Sequence, residues 1–163
     1  MNMIFCVDKN FGIGFNNQML FNLKTDLSYF KNKTINKAVV MGYNTLISLP
    51  GSKPLKNRIN IVLTSKKIKI ENANSKEELF KVLKNFNSED IFIIGGAKIY
   101  NLMLPYCDIV YCTKVESEKP ANVFAPNLDK EPNFKVINES DTLTENNLKF
   151  KFCEYKNEHP LNF

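Results

Sequence analysis

Short apolar segments alternate with helical patterns along most of this 163-residue chain, and that alternation constrains the fold more than any other feature. Five segments are short and continuously apolar, as buried strands are: 3–7, 38–41, 59–63, 90–94 and 109–115. Helical patterns lie at 23–31, 43–48, 75–86 and 97–104. Strands that alternate with helices are typical of a largely parallel sheet. We therefore predict a single α/β domain over residues 1–163.

Three further segments complete this prediction. Residues 8–18 carry two glycines and three asparagines, and residues 120–132 carry three prolines, so both are predicted as loops. The first is equally consistent with a mobile lid and with an ordinary connection between a strand and a helix. Segments 134–137 and 148–155 predict a closing antiparallel hairpin, since Leu148, Phe150 and Phe152 alternate with lysines.

Glycines mark the ends of two predicted strands. Gly42 follows one of them and Gly95-Gly96 follows another, and each opens a helical segment. In an open α/β sheet, ligands bind beyond the carboxyl ends of the strands, where backbone amides without a nearby Cβ can contact phosphates. Two such turns could hold one dinucleotide. Two tight turns with no ligand are the equally consistent alternative.

Asp26 is the candidate catalytic carboxylate. At about 100° per residue, Leu23, Leu27 and Phe30 share one face of the predicted helix, and Asp26 lies beside that apolar face. Aspartate is rarely buried without a partner, so this position indicates a ligand or a functional contact. The alternative is a carboxylate in the first turn that complements the helix dipole.

Composition excludes several classes of function. The net charge of +5 is spread along the chain without a block of like charges, which argues against a nucleic-acid-binding arm. The four cysteines form no CxxC pair and lie in apolar segments, so we expect reduced thiols in a cytoplasmic protein. The only histidine is His159, near the C-terminus, and no metal site is predicted. No membrane span or signal segment is predicted either.

Six blocks, taken together, resemble the dihydrofolate reductase family in order and spacing. They are residues 12–14, 19–21, 23–31, 39–45, 93–100 and 111–113. The resemblance implies an eight-stranded, mostly parallel twisted sheet flanked by about four helices. It also implies NADPH as cofactor, dihydrofolate as substrate, binding of antifolate-type small molecules, and a monomer.

The resemblance assigns catalytic roles to Asp26, Phe21, Tyr100 and Thr113. Asp26 matches the carboxylate that binds the pterin, and Thr113 matches its hydroxyl partner. A carboxylate suits this task because it can accept both parallel N–H donors of a pterin edge. Residues 11–22 match a loop that closes over the nicotinamide, and the Gly95–Gly96 peptide is expected to be cis.

The other site residues follow from the same resemblance. Arg58 matches the arginine that binds the α-carboxylate of folate, a bidentate task suited to guanidinium. The predicted substrate-binding residues are Ile4, Phe5, Cys6, Asp26, Leu27, Phe30, Leu49, Leu55, Arg58, Ile94 and Thr113. The predicted cofactor-binding residues are Cys6, Ile13, Gly14, Gly42, Tyr43, Asn44, Thr45, Leu63, Thr64, Ser65, Lys66, Gly95, Gly96, Ala97, Lys98, Ile99 and Tyr100.

Three residues depart from the family pattern. Phe21 stands where tryptophan is usual, Leu20 where proline is common, and Tyr43 where arginine or lysine often faces the cofactor phosphate. We therefore expect Ser65, Lys66 and Lys98 to bind the 2′-phosphate of NADPH, although ordinary surface lysines are the alternative. Two other functions stay open: a related pterin or pyrimidine reductase of this fold, and a non-catalytic nucleotide-binding module.

Overall fold

The computed structural model describes residues 1–163 and contains twelve strands and four α-helices. The strands are β1 Asn2–Val7, β2 Gly12–Phe15, β3 Gln18–Met19, β4 Ala38–Gly42, β5 Ile59–Leu63, β6 Asn72–Ala73, β7 Ile91–Gly95, β8 Ile109–Val115, β9 Val123–Phe124, β10 Phe134–Glu139, β11 Leu143–Glu145 and β12 Leu148–Asn157. The helices are α1 Lys24–Thr34, α2 Tyr43–Ser48, α3 Lys76–Leu83 and α4 Ala97–Met103.

Eight strands form one continuous central sheet. Their order is β10-β12-β8-β1-β7-β4-β5-β6, and β11 joins as a ninth strand by pairing with β12. β1 lies near the middle, parallel to both β7 and β8, while β12 is antiparallel to β8 and to β10. The predicted eight-stranded, mostly parallel sheet with four helices and a C-terminal antiparallel pair is confirmed.

Both faces of the central sheet are covered by apolar side chains, which explains the continuous apolar segments of the sequence. Successive residues of a strand point to opposite faces. Met3 and Phe5 accordingly lie in a core cluster of 25 buried residues, whereas Ile4 belongs to a second cluster of 7 on the other face. A third cluster joins Phe21 and Leu23 to Val115 and Phe150, so it ties the start of α1 to β8 and β12.

The two segments predicted as loops contain strands, and that part of the prediction was wrong. Residues 12–19 form the hairpin β2–β3, and β2 also pairs with β9 to give a separate three-stranded sheet. Asn16 and Asn17, with φ of 49° and 64°, make the turn of this hairpin. β6 was also missed. Strands of two residues are too short to leave a periodic pattern in the sequence.

Helix boundaries agree with the sequence within a few residues. α1 begins one residue later than predicted and runs three residues further, and α4 ends at Met103, followed by a short 3₁₀ turn at Leu104–Tyr106 that contains Pro105. Ser75 caps the start of α3, because its Oγ accepts from the Glu78 N–H at 3.2 Å, and the Glu78 carboxylate accepts from the Asn74 N–H at 2.9 Å. No helix is long and apolar enough to cross a membrane.

Candidate active site

The carboxyl ends of three parallel strands meet at one edge of the central sheet. Gly42 at the end of β4 is in register with Leu63 at the end of β5, and Met41 is in register with Gly95 at the end of β7. α2 and α4 begin immediately beyond these ends. The topology therefore brings the two predicted glycine turns to the same edge.

The two glycine turns lie close together, because Thr45, which follows Gly42, is next to Gly95 and Gly96. A Cβ added to Gly95 would lie 3.2 Å from the Tyr100 hydroxyl and 3.4 Å from Thr45 Oγ1, and a Cβ on Gly96 would also lie 3.4 Å from that oxygen. Gly95 has φ of +128°, a conformation that residues with a Cβ rarely adopt. The Gly95–Gly96 peptide is cis, as expected. Glycine is therefore favoured at position 95 by both its positive φ and its close neighbours.

Tyr100 supports the turn from within the core. Its hydroxyl lies 2.8 Å from the carbonyl oxygen of Ile94 and 3.0 Å from that of Ile4, so it can donate to either. Burial raises the pKa of the phenol, which keeps it a neutral donor. The side chains of Ile4, Phe5 and Ile94 are themselves buried in the core. Tyr100 thus links β1 to β7 directly behind the glycine turn.

Asp26 is paired with Thr113 across the gap between α1 and the sheet. The Thr113 hydroxyl, on β8, donates to Asp26 Oδ1 at 2.6 Å. Thr113 is itself in register with Cys6 on β1 and with Phe152 on β12. The structure thereby brings together Asp26, Thr113 and Cys6, three residues that the sequence placed in one site.

The pKa of Asp26 is raised above its ordinary value, chiefly because burial disfavours the charged carboxylate. The Thr113 hydroxyl and the Cys6 thiol act in the opposite direction, and the negative charge of Glu145 raises the pKa further. Burial and the nearby Asp26 charge raise the pKa of Cys6 well above its usual range, so the thiol stays protonated. Asp26 therefore sits in a site that disfavours an unpaired charge.

The apolar face predicted for α1 is not a core face, which corrects the first argument for Asp26. Leu23 precedes the helix and is buried, but Leu27 is 44% exposed and Phe30 is only half-buried. The only fully buried residue of α1 is Thr34. Leu49 and Leu55 are also half-buried, and both pack with Phe30 against the second core cluster. These apolar side chains remain accessible, as the wall of a ligand cleft would be.

Arg58 is the only arginine of the chain and has no acidic partner. Its guanidinium donates to the carbonyl oxygen of Lys56 at 3.0 Å and to Thr34 Oγ1 at 3.2 Å. The Thr34 hydroxyl in turn donates to the Phe30 carbonyl at 2.8 Å. Desolvation lowers the pKa of Arg58. A partly buried cation held only by neutral groups can accept an anionic ligand.

Lys66 is held over an aromatic ring. Its Nζ lies 4.0 Å from the ring centroid of Tyr43, the first residue of α2. The Lys66 N–H also donates to Thr64 Oγ1 at 3.1 Å, which orders the turn after β5. Lys98, predicted to act with Lys66, is exposed and makes no ion pair, side-chain hydrogen bond or ring contact. Ser65 is likewise exposed.

Phe21 is buried, at 9% exposure, in the third core cluster. The Nζ of Lys119 lies 5.1 Å from its ring centroid and donates to the Leu20 carbonyl at 3.2 Å. Ile13 packs against the main core, and Gly14 pairs with Met19 in the β2–β3 hairpin. The segment predicted as a lid therefore forms a hairpin that leads into a packed aromatic residue.

Three contacts were not anticipated from the sequence. They are the Cys6 thiol beside Asp26, the Thr34 hydroxyl that holds Arg58, and Glu145, which binds the start of α1. Thr34 and Glu145 belong to no motif and are close to the site only after folding. Cys6 was predicted as a site residue, but not for an effect of its thiol on the pKa of Asp26.

Comparison with known proteins adds to this geometry. A family model described as dihydrofolate reductase matches residues 1–157. The dihydrofolate reductase of Bacillus subtilis (strain 168) is 34% identical over 160 residues, which span 96% of this chain and 94% of that protein. The one from Buchnera aphidicola subsp. Acyrthosiphon pisum (strain APS) is 35% identical over 138 residues, or 84% and 85% of the two chains. The solved structure of dihydrofolate reductase from Enterococcus faecalis, complexed with NADP(H) and RAB-propyl, has the same fold, with a TM-score of 0.84, 24% identity and coverage of 96% and 95%.

Proposed function

The chain belongs to the dihydrofolate reductase family, a family of oxidoreductases, and we propose that it reduces 7,8-dihydrofolate to 5,6,7,8-tetrahydrofolate with NADPH as the reductant. The observation that carries this proposal is the Asp26–Thr113 pair, in which a half-buried carboxylate lies on the same helix as the accessible apolar side chains of Leu27 and Phe30. The glycine turns lie beyond the carboxyl ends of neighbouring strands, where a dinucleotide can bind.

Asp26 binds and orients the pterin in this proposal. Its carboxylate accepts from the 2-amino group and from the adjacent ring N–H, a planar, two-point interaction that neutral acceptors match less well. The Thr113 hydroxyl keeps one carboxylate oxygen in place. The proton for N5 reaches the substrate through water, and Asp26 is the acid that favours its delivery because its own pKa is raised.

The remainder of the substrate contacts α1 and the segment after α2. Leu27, Phe30, Leu49 and Leu55 form the apolar wall for the aminobenzoyl ring, and their incomplete burial supports this assignment. Arg58 binds the α-carboxylate, for which it is the only guanidinium available. Ile4, Phe5 and Ile94 contribute backbone and packing, since their side chains are buried.

The residues present fit NADPH, because Gly95 has φ of +128°, which leaves the backbone of the turn without a Cβ at this position, and the turn opens directly into α4. When bound, NADPH supplies the hydride that is added to C6 of the dihydropterin. The protein orients both ligands and excludes water. The residues we assign to the cofactor are Cys6, Ile13, Gly14, Gly42, Tyr43, Asn44, Thr45, Leu63, Thr64, Ser65, Lys66, Gly95, Gly96, Ala97, Lys98, Ile99 and Tyr100.

Lys66 and Tyr43 are the groups we assign to the 2′-phosphate. Tyr43 carries no charge, but its ring holds the Lys66 ammonium 4.0 Å from its centroid at the start of α2. We also assign Ser65 and Lys98 to the 2′-phosphate. Both side chains are exposed, and no contact holds either of them in place. We further propose that residues 1–163 act as one domain and as a monomer in the cytoplasm. The four free thiols are typical of a reducing compartment.

The direct test is a spectrophotometric assay of the purified protein with NADPH and dihydrofolate. We expect NADPH to be consumed only when dihydrofolate is added. Asp26→Asn should lower kcat/KM about ten-fold or more at neutral pH, since a charge-assisted pair contributes roughly 1.5–3 kcal/mol. NADPH binding should be almost unchanged in this variant.

Other outcomes of the same assay would contradict the proposal. Consumption with another pterin or pyrimidine, but not with dihydrofolate, would identify a related reductase. Tight NADPH binding without consumption of any such substrate would identify a nucleotide-binding module. Equal loss of affinity for both ligands in Asp26→Asn would make Asp26 a structural residue.

A further inference from the structure

The helix that carries Asp26 is capped by a residue from the other end of the chain. Leu23, the residue before α1, has no side chain that can cap the helix. Instead, the Glu145 carboxylate accepts from the Lys24 N–H at 2.5 Å, the Thr25 N–H at 3.1 Å and the Thr25 hydroxyl at 2.6 Å. Glu145 and Thr25 are 120 residues apart in the sequence. A carboxylate at this end also complements the helix dipole.

Glu145 is itself fixed by a tight hairpin. It ends β11 and is in register with Leu148, the first residue of β12, across the turn formed by Asn146 and Asn147. These asparagines have φ of 51° and 59°, the conformation of a two-residue hairpin turn. β12 also pairs with β8, where Phe152 is in register with Thr113. β12 therefore pairs directly with both β11, which bears Glu145, and β8, which bears Thr113. These two residues contact α1 at two points, Thr25 and Asp26.

The charge of Glu145 also acts on Asp26. The three hydrogen bonds from α1 lower the pKa of Glu145, so it remains ionised. Its charge in turn raises the pKa of Asp26. The other groups that act on Asp26 are the Thr113 hydroxyl on β8 and the Cys6 thiol on β1, and both oppose Glu145. Among these groups, Glu145 alone bears a full charge.

We propose that Glu145 is a positioning residue for Asp26: by capping α1 from the β11–β12 hairpin, it fixes the Asp26 carboxylate against Thr113. Its effect on catalysis rests on the proposed function, whereas its effect on Asp26 does not. Glu145 acts through the first turn of the helix and does not itself contact the substrate.

The test compares three variants with a control. Glu145→Ala removes the cap and the charge, Glu145→Gln keeps an acceptor but removes the charge, and Thr25→Val removes one contact but no charge. Thr144→Ala, an exposed neighbour on β11 whose side chain contacts neither α1 nor the site, is the control. Three quantities are measured: the pKa of Asp26, by carbon NMR of its carboxyl group without ligands, and kcat and KM across pH.

We expect Glu145→Ala to lower kcat/KM for dihydrofolate about five- to ten-fold, mainly through KM, which is the effect of losing one helix cap and its hydrogen bonds. KM for NADPH should stay within about two-fold. Glu145→Gln should recover part of the loss. In both Glu145 variants the pKa of Asp26 should fall. As pH rises, kcat/KM should therefore begin to decline at a lower pH than in the wild type. Thr25→Val should raise KM with little change in that pKa.

The inference is overturned if Glu145→Ala changes only the melting temperature and leaves both the pKa of Asp26 and KM for dihydrofolate at the wild-type values. A wild-type protein that does not reduce dihydrofolate would instead contradict the proposed function. The NMR titration would then still decide whether Glu145 controls Asp26.

Discussion

Asp26, the carboxylate of the proposed active site, interacts with residues from several parts of the fold. Its neighbours come from three separate strands: Cys6 from β1, Thr113 from β8 and Glu145 from β11. Burial raises its pKa above the ordinary value of 3.8, so the folded protein binds the proton more tightly than the unfolded chain does. The charged form therefore destabilises the protein without ligand at neutral pH.

Asp26→Asn should consequently stabilise the ligand-free protein. The contribution of Asp26 to the stability of the wild type is greatest below pH 3.8, where this carboxyl group is protonated in both the folded and the unfolded state, and it falls as pH rises through the folded pKa. Asparagine lacks this titration and can still accept from Thr113. We expect a higher melting temperature than the wild type at pH 7 and a difference that fades towards pH 3. A lower melting temperature at pH 7 would show that the carboxylate stabilises the fold.

Arg58 allows a second prediction at this scale. Arg58→Gln should raise KM for dihydrofolate about ten- to a hundred-fold, since a charge-assisted bidentate contact contributes roughly 1.5–3 kcal/mol. A dihydropterin that lacks the glutamate carboxylates is the matched control substrate, and its kcat/KM should be the same in both proteins. Equal losses for the two substrates would mean that Arg58 acts by holding Thr34 and α1 instead of binding the carboxylate.

At the scale of elements, the sequence predicted the central strands and their helices but not the β2–β3 hairpin or its pairing with β9. The central strands are buried on both faces, so each leaves a continuous apolar segment. β2, β3 and β9 are two to four residues long and include the exposed Phe15, Met19, Val123 and Phe124. These strands pair where their backbones approach closely. In the sequence, only Gly12 and Gly14 indicate such a close approach.

Gly12 allows a test of this hairpin. A Cβ at this position would lie 2.8 Å from the Ala121 Cβ and 3.0 Å from an oxygen of Asp8. Gly12→Ala should destabilise the protein by roughly 1–3 kcal/mol, the usual cost of overpacking. Adding Ala121→Gly removes the shorter contact and should restore part of that stability, measured by urea unfolding. If Gly12→Ala is as stable as the wild type, the packing of β2 against residue 121 is looser than described.

The site residues show the same division between what the sequence can and cannot reveal. Asp26, Thr113 and the two glycine turns lie in short motifs and could be found from the sequence. Thr34 and Glu145 could not, because they reach the site only through the packing of α1 on the sheet and the β11–β12 hairpin. The helical pattern around Leu27 was misleading, since apolar side chains that line an open cleft have the same spacing as those that face a core.

At the scale of the whole molecule, the fold has two proposed binding regions that must work together. α1 and the segment up to Arg58 face the proposed substrate, while the turns after β4, β5 and β7 face the proposed cofactor. β1 contacts both regions, through Cys6 near Asp26 and through the Ile4 carbonyl that lies beside the Tyr100 hydroxyl. The mild net charge of +5 suits two anionic ligands.

Preference for NADPH over NADH tests the cofactor side of this arrangement. Replacing Lys66 and Lys98 together by glutamine should weaken NADPH binding by about 1.5–3 kcal/mol and leave NADH nearly unchanged. Because Lys66 alone has a positioned ammonium, Lys66→Gln should account for most of the effect. High salt should partly reproduce it. A double variant that retains the full NADPH-to-NADH ratio would show that other residues bind the phosphate.

The most direct test of the central claim follows the hydride itself. NADPH labelled with deuterium at the transferred position of its nicotinamide is incubated with dihydrofolate and the purified protein, and the product is analysed by mass spectrometry and NMR. We predict one deuterium at C6 of tetrahydrofolate for each NADPH oxidised, formed by the wild type and at least about ten-fold more slowly by Asp26→Asn. Oxidation of NADPH without deuterium at C6, or equal rates in the two proteins, would contradict the account.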